Sequence, residues 1–193
     1  MTTEAPREAR GPMPESPFEG RLVRLRAREP EDEPKLHEWF NDPEVTEFLS
    51  MNYPISHHAE RSFLERAVDV GYQNANFALV TRAEGRMIGG CGFEKVSAED
   101  RHAELGIAIG DRAYWDGGYG TDAMRTLCRF GFEIMNLHRI QLDVYDGNER
   151  ARHVYEKVGF RVEARKRQAR YKFGRYMDVY VMGLLEGELR LDD

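Results

Sequence analysis

Between a predicted strand and a predicted helix the chain reads Tyr114-Trp-Asp-Gly-Gly-Tyr-Gly-Thr-Asp-Ala123. Glycines allow a backbone to approach a ligand closely and to turn its N–H groups toward that ligand. The start of a helix adds unpaired N–H donors and the positive end of the helix dipole. This stretch therefore predicts a cradle for a pyrophosphate group. The alternative is that the glycines serve only as a turn before the helix.

A second informative stretch reads Asn148-Glu-Arg-Ala-Arg-His-Val-Tyr-Glu-Lys-Val-Gly-Phe160. Asn148 is a favoured N-cap, and Gly159 is typical of a left-handed helix end. Asn148 and Tyr155 are separated by two helical turns, so both lie on one face of the predicted helix. The alternative is that Asn148 only caps the helix and that Tyr155 only packs against the core.

Hydrophobic periodicity predicts further elements around these two stretches. Strands are predicted at residues 21–27, 77–81, 87–94, 103–109, 139–145, 160–169 and 175–185, and helices at 30–40, 58–73, 119–135 and 148–158. This order predicts one α/β domain with a mixed sheet, over residues 20–187. It lies between a flexible, proline-rich tail (residues 1–19) and a short C-terminal tail (residues 188–193).

Composition limits the class of protein. Of the 193 residues 41% are hydrophobic and 32% are charged, which is typical of a globular domain. No apolar run approaches the ~20 residues of a membrane span. The first residues lack the features of a signal peptide. We therefore expect a cytoplasmic protein that binds no membrane.

The charge of the chain is unevenly distributed. The net charge of −6 argues against a nucleic-acid partner. Residues 139–176, however, contain 11 Lys and Arg against 5 Asp and Glu. Such a basic stretch predicts either a local site for a phosphorylated cofactor or a solvated basic hairpin.

The sequence predicts neither a metal site nor a reactive thiol. Cys91 and Cys128 lie inside apolar segments, and two cysteines form neither a disulfide framework nor a zinc cluster. The His57-His58 pair has no further ligand at a metal-binding spacing. Cys128 is interpreted as a packing residue rather than a nucleophile.

Taken together, the glycine-rich stretch, the helix after it, a strand starting at Leu137-His-Arg-Ile140 and the helix before Phe160 resemble the GNAT superfamily of acyl-CoA-dependent N-acetyltransferases. The resemblance covers residues 18–185. Residues 39–45 and the Gly89-Gly90 pair resemble the branch with ribosomal-protein N-terminal and spermidine acetyltransferases. The resemblance implies a single mixed, mostly antiparallel sheet flanked by helices, with a splayed central strand pair. It also implies a homodimer.

The resemblance implies acetyl-CoA as the cosubstrate. The family's pyrophosphate motif, Gln or Arg-x-x-Gly-x-Gly or Ala, falls on residues 115–120, where both glycine positions match. Trp115 and Asp116 depart from the family pattern, and Ala151 replaces a common serine. The family's splayed strand, whose main chain pairs with the pantetheine arm, corresponds to residues 105–109. The predicted acetyl-CoA contacts are Ile107, Ala108, Ile109, Trp115, Asp116, Gly117, Gly118, Tyr119, Gly120, Thr121, Asn148, Arg152, Tyr155 and Lys157.

The resemblance also implies catalytic roles. Direct attack of an amine on a thioester needs donors for the tetrahedral oxyanion and an acid for the departing thiolate. The hypothesis assigns the oxyanion to the backbone N–H at or near Ile107 and protonation of the coenzyme A sulfur to Tyr155. Glu104 is the candidate base, acting through water. The alternative for Glu104 is a surface carboxylate at the end of its strand.

Two other functions compete with an acetyltransferase. The first is a dinucleotide-dependent oxidoreductase, because Gly118-x-Gly-x-x-Ala123, followed by Asp143, satisfies a dinucleotide-binding spacing. The long separation from the preceding strand and the closing hairpin argue against it. The second alternative is a catalytically silent acetyl-CoA-binding sensor or regulatory module. The acceptor stays open between a polyamine, a protein or peptide N-terminus and an aminoglycoside.

Overall fold

The computed structural model describes residues 13–66, 71–73 and 75–192. Segments with an apolar period of two form strands, and segments with a period near 3.6 form helices. The strands are β1 (Val23–Arg26), β2 (Asn76–Thr81), β3 (Met87–Ser97), β4 (His102–Ile109), β5 (Arg139–Tyr145), β6 (Arg161–Lys172) and β7 (Arg175–Leu185). The helices are α1 (Glu33–Phe40), α2 (Pro43–Thr46), α3 (His57–Arg66), α4 (Tyr119–Glu133) and α5 (Glu149–Val158), with 3-10 turns at Pro30–Asp32 and Arg112–Tyr114.

The strands form one seven-stranded sheet in the order β1-β2-β3-β4-β5-β7-β6. Its neighbours are antiparallel except for β4 and β5, which run parallel. Parallel neighbours need a crossover connection, and α4 supplies it. The predicted mixed, mostly antiparallel sheet is confirmed. A doubly wound dinucleotide-binding fold is excluded, because its sheet is mostly parallel.

Helices cover both faces of the sheet. The larger core joins the apolar stripes of α4 and α5 to one face, with residues such as Leu127, Ile140 and Met182 fully buried. A smaller core joins α1 and α3 to the other face of β2 and β3, around Leu36 and Val80. The sheet is therefore the middle layer of three. Among the described residues, no helix has the length and apolar character needed to cross a membrane.

The helix predicted over residues 58–73 is shorter in the structure. Helix α3 covers His57–Arg66, and residues 71–73 form a turn. The predicted C-terminal end is therefore wrong, because the turn that begins at Gly71 replaces the last helical turn. The apolar stripe predicted at residues 67 and 68 lies outside the described residues.

Helix α2 is an addition to the predicted elements. Pro43 occupies its first turn, where the missing N–H costs nothing. The Asp42 side chain caps it by accepting a hydrogen bond from the Glu44 N–H at 2.9 Å. Local capping thus produces a helix of four residues, too short for its periodicity to be recognised in the sequence.

Both ends of the described chain lie against α4. The Arg129 guanidinium donates to the Pro14 and Glu19 carbonyls, each at 2.8 Å. The Arg125 Nε donates to the Arg190 carbonyl at 2.9 Å. The described part of the predicted N-terminal tail is therefore held by α4, as is the predicted C-terminal tail.

Candidate active site

A cleft opens in the sheet where β4 and β5 part. The two strands pair only at residues 102–104 with residues 139–141. Beyond those three pairs, residues 105–109 of β4 and 142–145 of β5 line opposite sides of a cavity of about 710 Å³. The splayed central strand pair predicted from the family resemblance is thus present.

The backbone of β4 presents polar groups to this cleft. Gly110 donates its N–H to the Ile88 carbonyl of β3 at 2.9 Å. Hydrogen-bonded pairs alternate along an antiparallel ladder, so Ala108 also faces β3. The Ile107 N–H therefore points away from β3 and toward the gap between β4 and β5. It is a main-chain donor that faces the cleft, and its role toward an oxyanion stays a prediction.

The glycine loop (residues 116–120) leads from the cleft into α4. Gly118 is the N-cap of α4, and its φ of 86° is a left-handed conformation that favours glycine. Gly118, Gly120 and Thr121 line the cavity. The first N–H groups of a helix have no partner within the helix, so they are available to a ligand. The loop therefore has the donors that a pyrophosphate cradle needs.

Trp115 and Asp116, which depart from the family motif, are both engaged by neighbours. The Trp115 Nε1–H donates to the Ile109 carbonyl at 2.8 Å. The Arg150 guanidinium lies 4.5 Å from the centre of the Trp115 ring and forms a 3.2 Å ion pair with Asp116. Arg150 therefore reduces the repulsion that Asp116 would exert on a phosphate.

Basic residues line the cavity along one face of α5. They are Arg150, His153 and Lys157, at positions i, i+3 and i+7 of the helix. Of these only Lys157 was predicted; Arg150 was missed, although it lies two helical turns before Lys157. The structure places Arg152 outside the cavity lining, where its Nε forms a 3.0 Å ion pair with Glu156.

Most predicted cofactor contacts line the cavity. Gly117 and Tyr119 do not, and Tyr119 is instead a core residue, 2% exposed and packed edge-on against Tyr114. The predicted contacts that line the cavity are Ile107, Ala108, Ile109, Trp115, Asp116, Gly118, Gly120, Thr121, Asn148, Tyr155 and Lys157.

Asn148 and Tyr155 reach the cavity from α5. The Asn148 Oδ1 caps the helix by accepting from the Ala151 N–H at 3.2 Å, which leaves its Nδ2 as the group that can donate to a ligand. Burial raises the pKa of Tyr155 to about 12. The phenol is therefore protonated at neutral pH and can donate a proton. Asn148 therefore caps α5 and also lines the cavity, and Tyr155 packs against the core and also lines the cavity.

Five carboxylates line the cavity, and two of them pair with arginines near the glycine loop: Glu44 with Arg112 and Asp116 with Arg150. The other three, Glu94, Glu104 and Asp143, lie around Lys95 and form an acidic rim at the end where β4 and β5 pair. Glu104 forms a 2.7 Å ion pair with Lys95 and accepts from the Gln141 Nε2 at 3.1 Å. The candidate base thus lies at the point where the strands part, with both oxygens hydrogen-bonded. Glu47 and Tyr53 do not line the cavity: Tyr53 is 83% exposed, and Glu47 lies near Arg175.

Most of the basic residues in the stretch 139–176 belong to the closing hairpin formed by β6 and β7. Arg161 pairs with Glu188 at 3.0 Å, Lys166 pairs with Asp143 at 3.0 Å, and Arg165 pairs with Asp178. Within this stretch, Arg150 and Lys157 are the described Lys and Arg side chains that line the cavity. The solvated hairpin therefore accounts for most of the excess positive charge.

The two cysteines are expected to be inert in the folded protein. Both are buried, and burial raises the pKa of Cys91 to about 12 and that of Cys128 above its usual range. A chromogenic thiol reagent should react with less than a tenth of one thiol per chain within an hour in the folded protein. In denaturant it should react with both thiols. Rapid reaction of one thiol without denaturant would contradict this burial.

The described residues contain no cluster of metal-binding side chains.

Comparison with known proteins agrees with this geometry. Residues 22–161 match the family described as acetyltransferase (GNAT) domain. Over 85% of its length the chain is 30% identical to uncharacterized N-acetyltransferase p20 of Bacillus licheniformis, covering 93% of that protein. It is 27% identical to spermidine N(1)-acetyltransferase of Escherichia coli strain K12, over 85% of the chain and 86% of the relative.

A solved structure has the same fold. Spermidine N-acetyltransferase from Vibrio cholerae, in complex with CoA and spermine, superimposes with a TM-score of 0.79 at 24% identity. The match covers 86% of this chain and 96% of the other. The cleft, the glycine loop and α5 thus occur in a fold shared with solved acetyltransferases.

Proposed function

The chain belongs to the GNAT acetyltransferase family, and we propose that it transfers the acetyl group of acetyl-CoA to a primary amine of a polycationic acceptor, of the polyamine class. As a member of this family it is an acetyl-CoA-dependent N-acetyltransferase. The observation that carries the choice of acceptor is the acidic rim around the cleft. A protein or peptide N-terminus is the acceptor class against which the proposal is tested.

The cosubstrate fits the residues on one side of the cleft. The pyrophosphate would meet the N–H groups of the glycine loop at the start of α4, with Arg150 and Lys157 supplying positive charge. The pantetheine arm is a chain of amide groups, and the β4 main chain offers it unpaired polar groups in the gap. Asn148 would donate through Nδ2. Acetyl-CoA supplies the activated acetyl group, held as a thioester.

The proposed mechanism uses three groups of this chain. The amine nitrogen attacks the thioester carbon, and the Ile107 N–H stabilises the oxyanion that forms. When the carbon–sulfur bond breaks, Tyr155 donates its proton to the thiolate. The proton lost by the amine passes through water to Glu104, whose two oxygens accept hydrogen bonds from Lys95 and Gln141. Glu104 then releases this proton to solvent, and solvent returns a proton to Tyr155 before the next turnover.

The acidic rim favours an acceptor with more than one positive charge. Glu94 and Glu104 are directly opposite each other on β3 and β4, and like charges in such a pair repel. The Lys95 ammonium, 2.7 Å from Glu104, offsets part of this repulsion, and a charged amine beside Glu94 would offset more of it. A polyamine can present one neutral amine to the thioester while a second, charged amine lies at the rim. The relatives named spermidine N(1)-acetyltransferase are consistent with this acceptor class.

Thiol release from acetyl-CoA tests the proposal against a panel of amines. The panel contains spermidine, butylamine as a monoamine, short peptides with Ala or Ser at the N-terminus, and an aminoglycoside. We expect kcat/KM for spermidine to exceed that for butylamine at least tenfold, about 1.4 kcal/mol of discrimination. Higher salt should reduce the ratio, because the attraction is screened.

A matched pair of variants examines the acidic rim. Glu94→Gln should reduce the preference for spermidine over butylamine about fivefold, whereas Glu99→Gln, an exposed change beyond the end of β3, should leave it unchanged. If the enzyme prefers a peptide to spermidine, the proposed polyamine acceptor is wrong and a protein or peptide N-terminus is the acceptor class. Binding of acetyl-CoA without turnover of any amine would favour the sensor alternative.

A further inference from the structure

The tip of the β6–β7 hairpin contacts the α2 segment (residues 43–52). Lys172, at the end of β6, is 5% exposed. Its ammonium donates to the Leu49 carbonyl at 3.0 Å and to the Thr46 carbonyl. These are the carbonyls at the end of α2 and in the turn that follows it. Lys172 therefore occupies the position of a C-terminal cap, supplied from a strand distant in sequence.

The neighbouring Arg170 extends this contact. One nitrogen of its guanidinium donates to the Ser50 carbonyl at 2.7 Å and to Asn52 Oδ1 at 2.6 Å. The same guanidinium lies 5.5 Å from the ring centre of Tyr145, a residue that lines the cavity. Two basic side chains of one strand thus hold successive parts of the α2 segment.

The α2 segment is one side of the cleft. Its residues in the cavity lining are Glu44, Val45, Phe48, Leu49 and Ser50. The first part of the segment lies beside the glycine loop, because Asp42 and Glu44 pair with Arg112 and Val45 packs near Trp115. Lys172 and Arg170 instead contact the later part, from Thr46 to Asn52. A shift of that later part would therefore change the space available to the amine, while the Arg112 pairs hold the part beside the glycine loop.

The α2 segment cannot hold its own shape. A helix of four residues lacks the length to be stable by itself, because nucleation costs more than so few hydrogen bonds return. The Thr46 carbonyl accepts from the Leu49 N–H at 3.0 Å within the segment, and Lys172 adds a donor to the Thr46 and Leu49 carbonyls from outside it. Burial, together with the nearby Arg170, lowers the pKa of Lys172 below its usual value. Burying a charge in this way is unfavourable unless the hydrogen bonds compensate for it.

We propose that Lys172 is a positioning residue for the amine acceptor, which holds the α2 segment as a fixed side of the cleft, with Arg170 in support. This inference rests on the proposed function for the identity of the acceptor. The hydrogen bonds of Lys172 to the α2 segment do not depend on that identity.

Steady-state kinetics with the preferred amine test the inference. Lys172→Met should raise the KM for the amine at least fivefold, with kcat at saturating amine within threefold and the acetyl-CoA Kd within twofold. Lys172→Arg, which keeps donors at this position, should lie closer to the wild type. The control is Arg167→Met, an exposed change on β6 beyond the described contacts with the α2 segment. An unchanged KM, or an equal loss of acetyl-CoA affinity, would overturn the proposal.

Hydrogen exchange gives a second readout that does not need turnover. Amides of residues 45–50 should exchange at least tenfold faster in Lys172→Met, and those of the glycine loop should not change. If no amine is a substrate, the proposed function fails. Hydrogen exchange alone then decides whether Lys172 holds the α2 segment. If Lys172→Met does not fold, Arg170→Met takes its place in both measurements. Unchanged KM and unchanged exchange in that variant would reject the inference.

Discussion

Replacing Tyr155 by Phe is expected to lower kcat by about 10²- to 10³-fold, with the acetyl-CoA Kd within twofold of the wild type. The change removes one hydroxyl and keeps the ring, which packs 6.1 Å from Phe160 and against the core of α4 and α5. Only the proton donor is lost, so binding and folding should be preserved. Thiol release and calorimetric titration of acetyl-CoA measure the two quantities.

The tyrosine control is Tyr176→Phe, which removes an exposed hydroxyl at the hairpin tip and should leave kcat unchanged. The pH profile gives a further test. Alkyl amines lose their proton near pH 10, so kcat/KM should rise with pH through that range. The pKa of Tyr155 is about 12, so the donor stays protonated and no falling limb should appear below pH 10.5. A Tyr155→Phe enzyme with kcat within threefold of wild type would remove Tyr155 from the mechanism.

Asp122→Ala should have the largest effect on stability, at least about 3 kcal/mol. Asp122 is buried on α4 and accepts the backbone N–H groups of Arg21, Leu22 and Val23 at 2.9, 2.7 and 3.0 Å. Alanine would leave three N–H groups without an acceptor at the start of β1. Urea denaturation followed by circular dichroism measures the loss.

Two comparisons make the Asp122 prediction specific. Glu99→Ala removes an exposed carboxylate and should change the free energy of unfolding by less than about 0.5 kcal/mol. Gly20→Ala should also destabilise, because a Cβ at Gly20 would lie 2.2 Å from Asp122 Oδ2. A loss of less than about 1 kcal/mol for Asp122→Ala would be no more than the contribution of a single hydrogen bond. The three N–H groups would then have found other acceptors, and the prediction would be wrong.

Local patterns were sufficient to predict most elements. The bounds of β5 and β7 agree with the sequence prediction, and Asn148 and Gly159 cap α5 as their residue types indicate. Gly118 in a left-handed conformation starts α4, as the glycine-rich stretch suggests. These features depend on interactions within a few residues, so their signals are complete in a short stretch of sequence.

Arg150 and Arg152 show one thing that the sequence pattern of α5 could not decide: which of the two arginines faces the cavity. Both are basic residues in the first turns of α5, and the helical pattern alone allows either to meet a phosphate. The structure places Arg150 over Trp115 and turns Arg152 toward Glu156. The choice depends on where the glycine loop lies relative to α5, which no spacing within the helix specifies.

By itself, therefore, the sequence determined the strands, the helices other than α2 and the end of α3, the caps of α5, the glycine loop and the resemblance to an acetyltransferase family. Only the tertiary structure decided that β4 and β5 part after three residue pairs, and that Lys172 holds the α2 segment from a distant strand. It also decided that three carboxylates from three strands, Glu94, Glu104 and Asp143, meet around Lys95 at one rim. The physical reason is range: caps and periodicity act between near neighbours, whereas strand order, cleft width and ion pairs depend on residues brought together by the packing of the whole sheet.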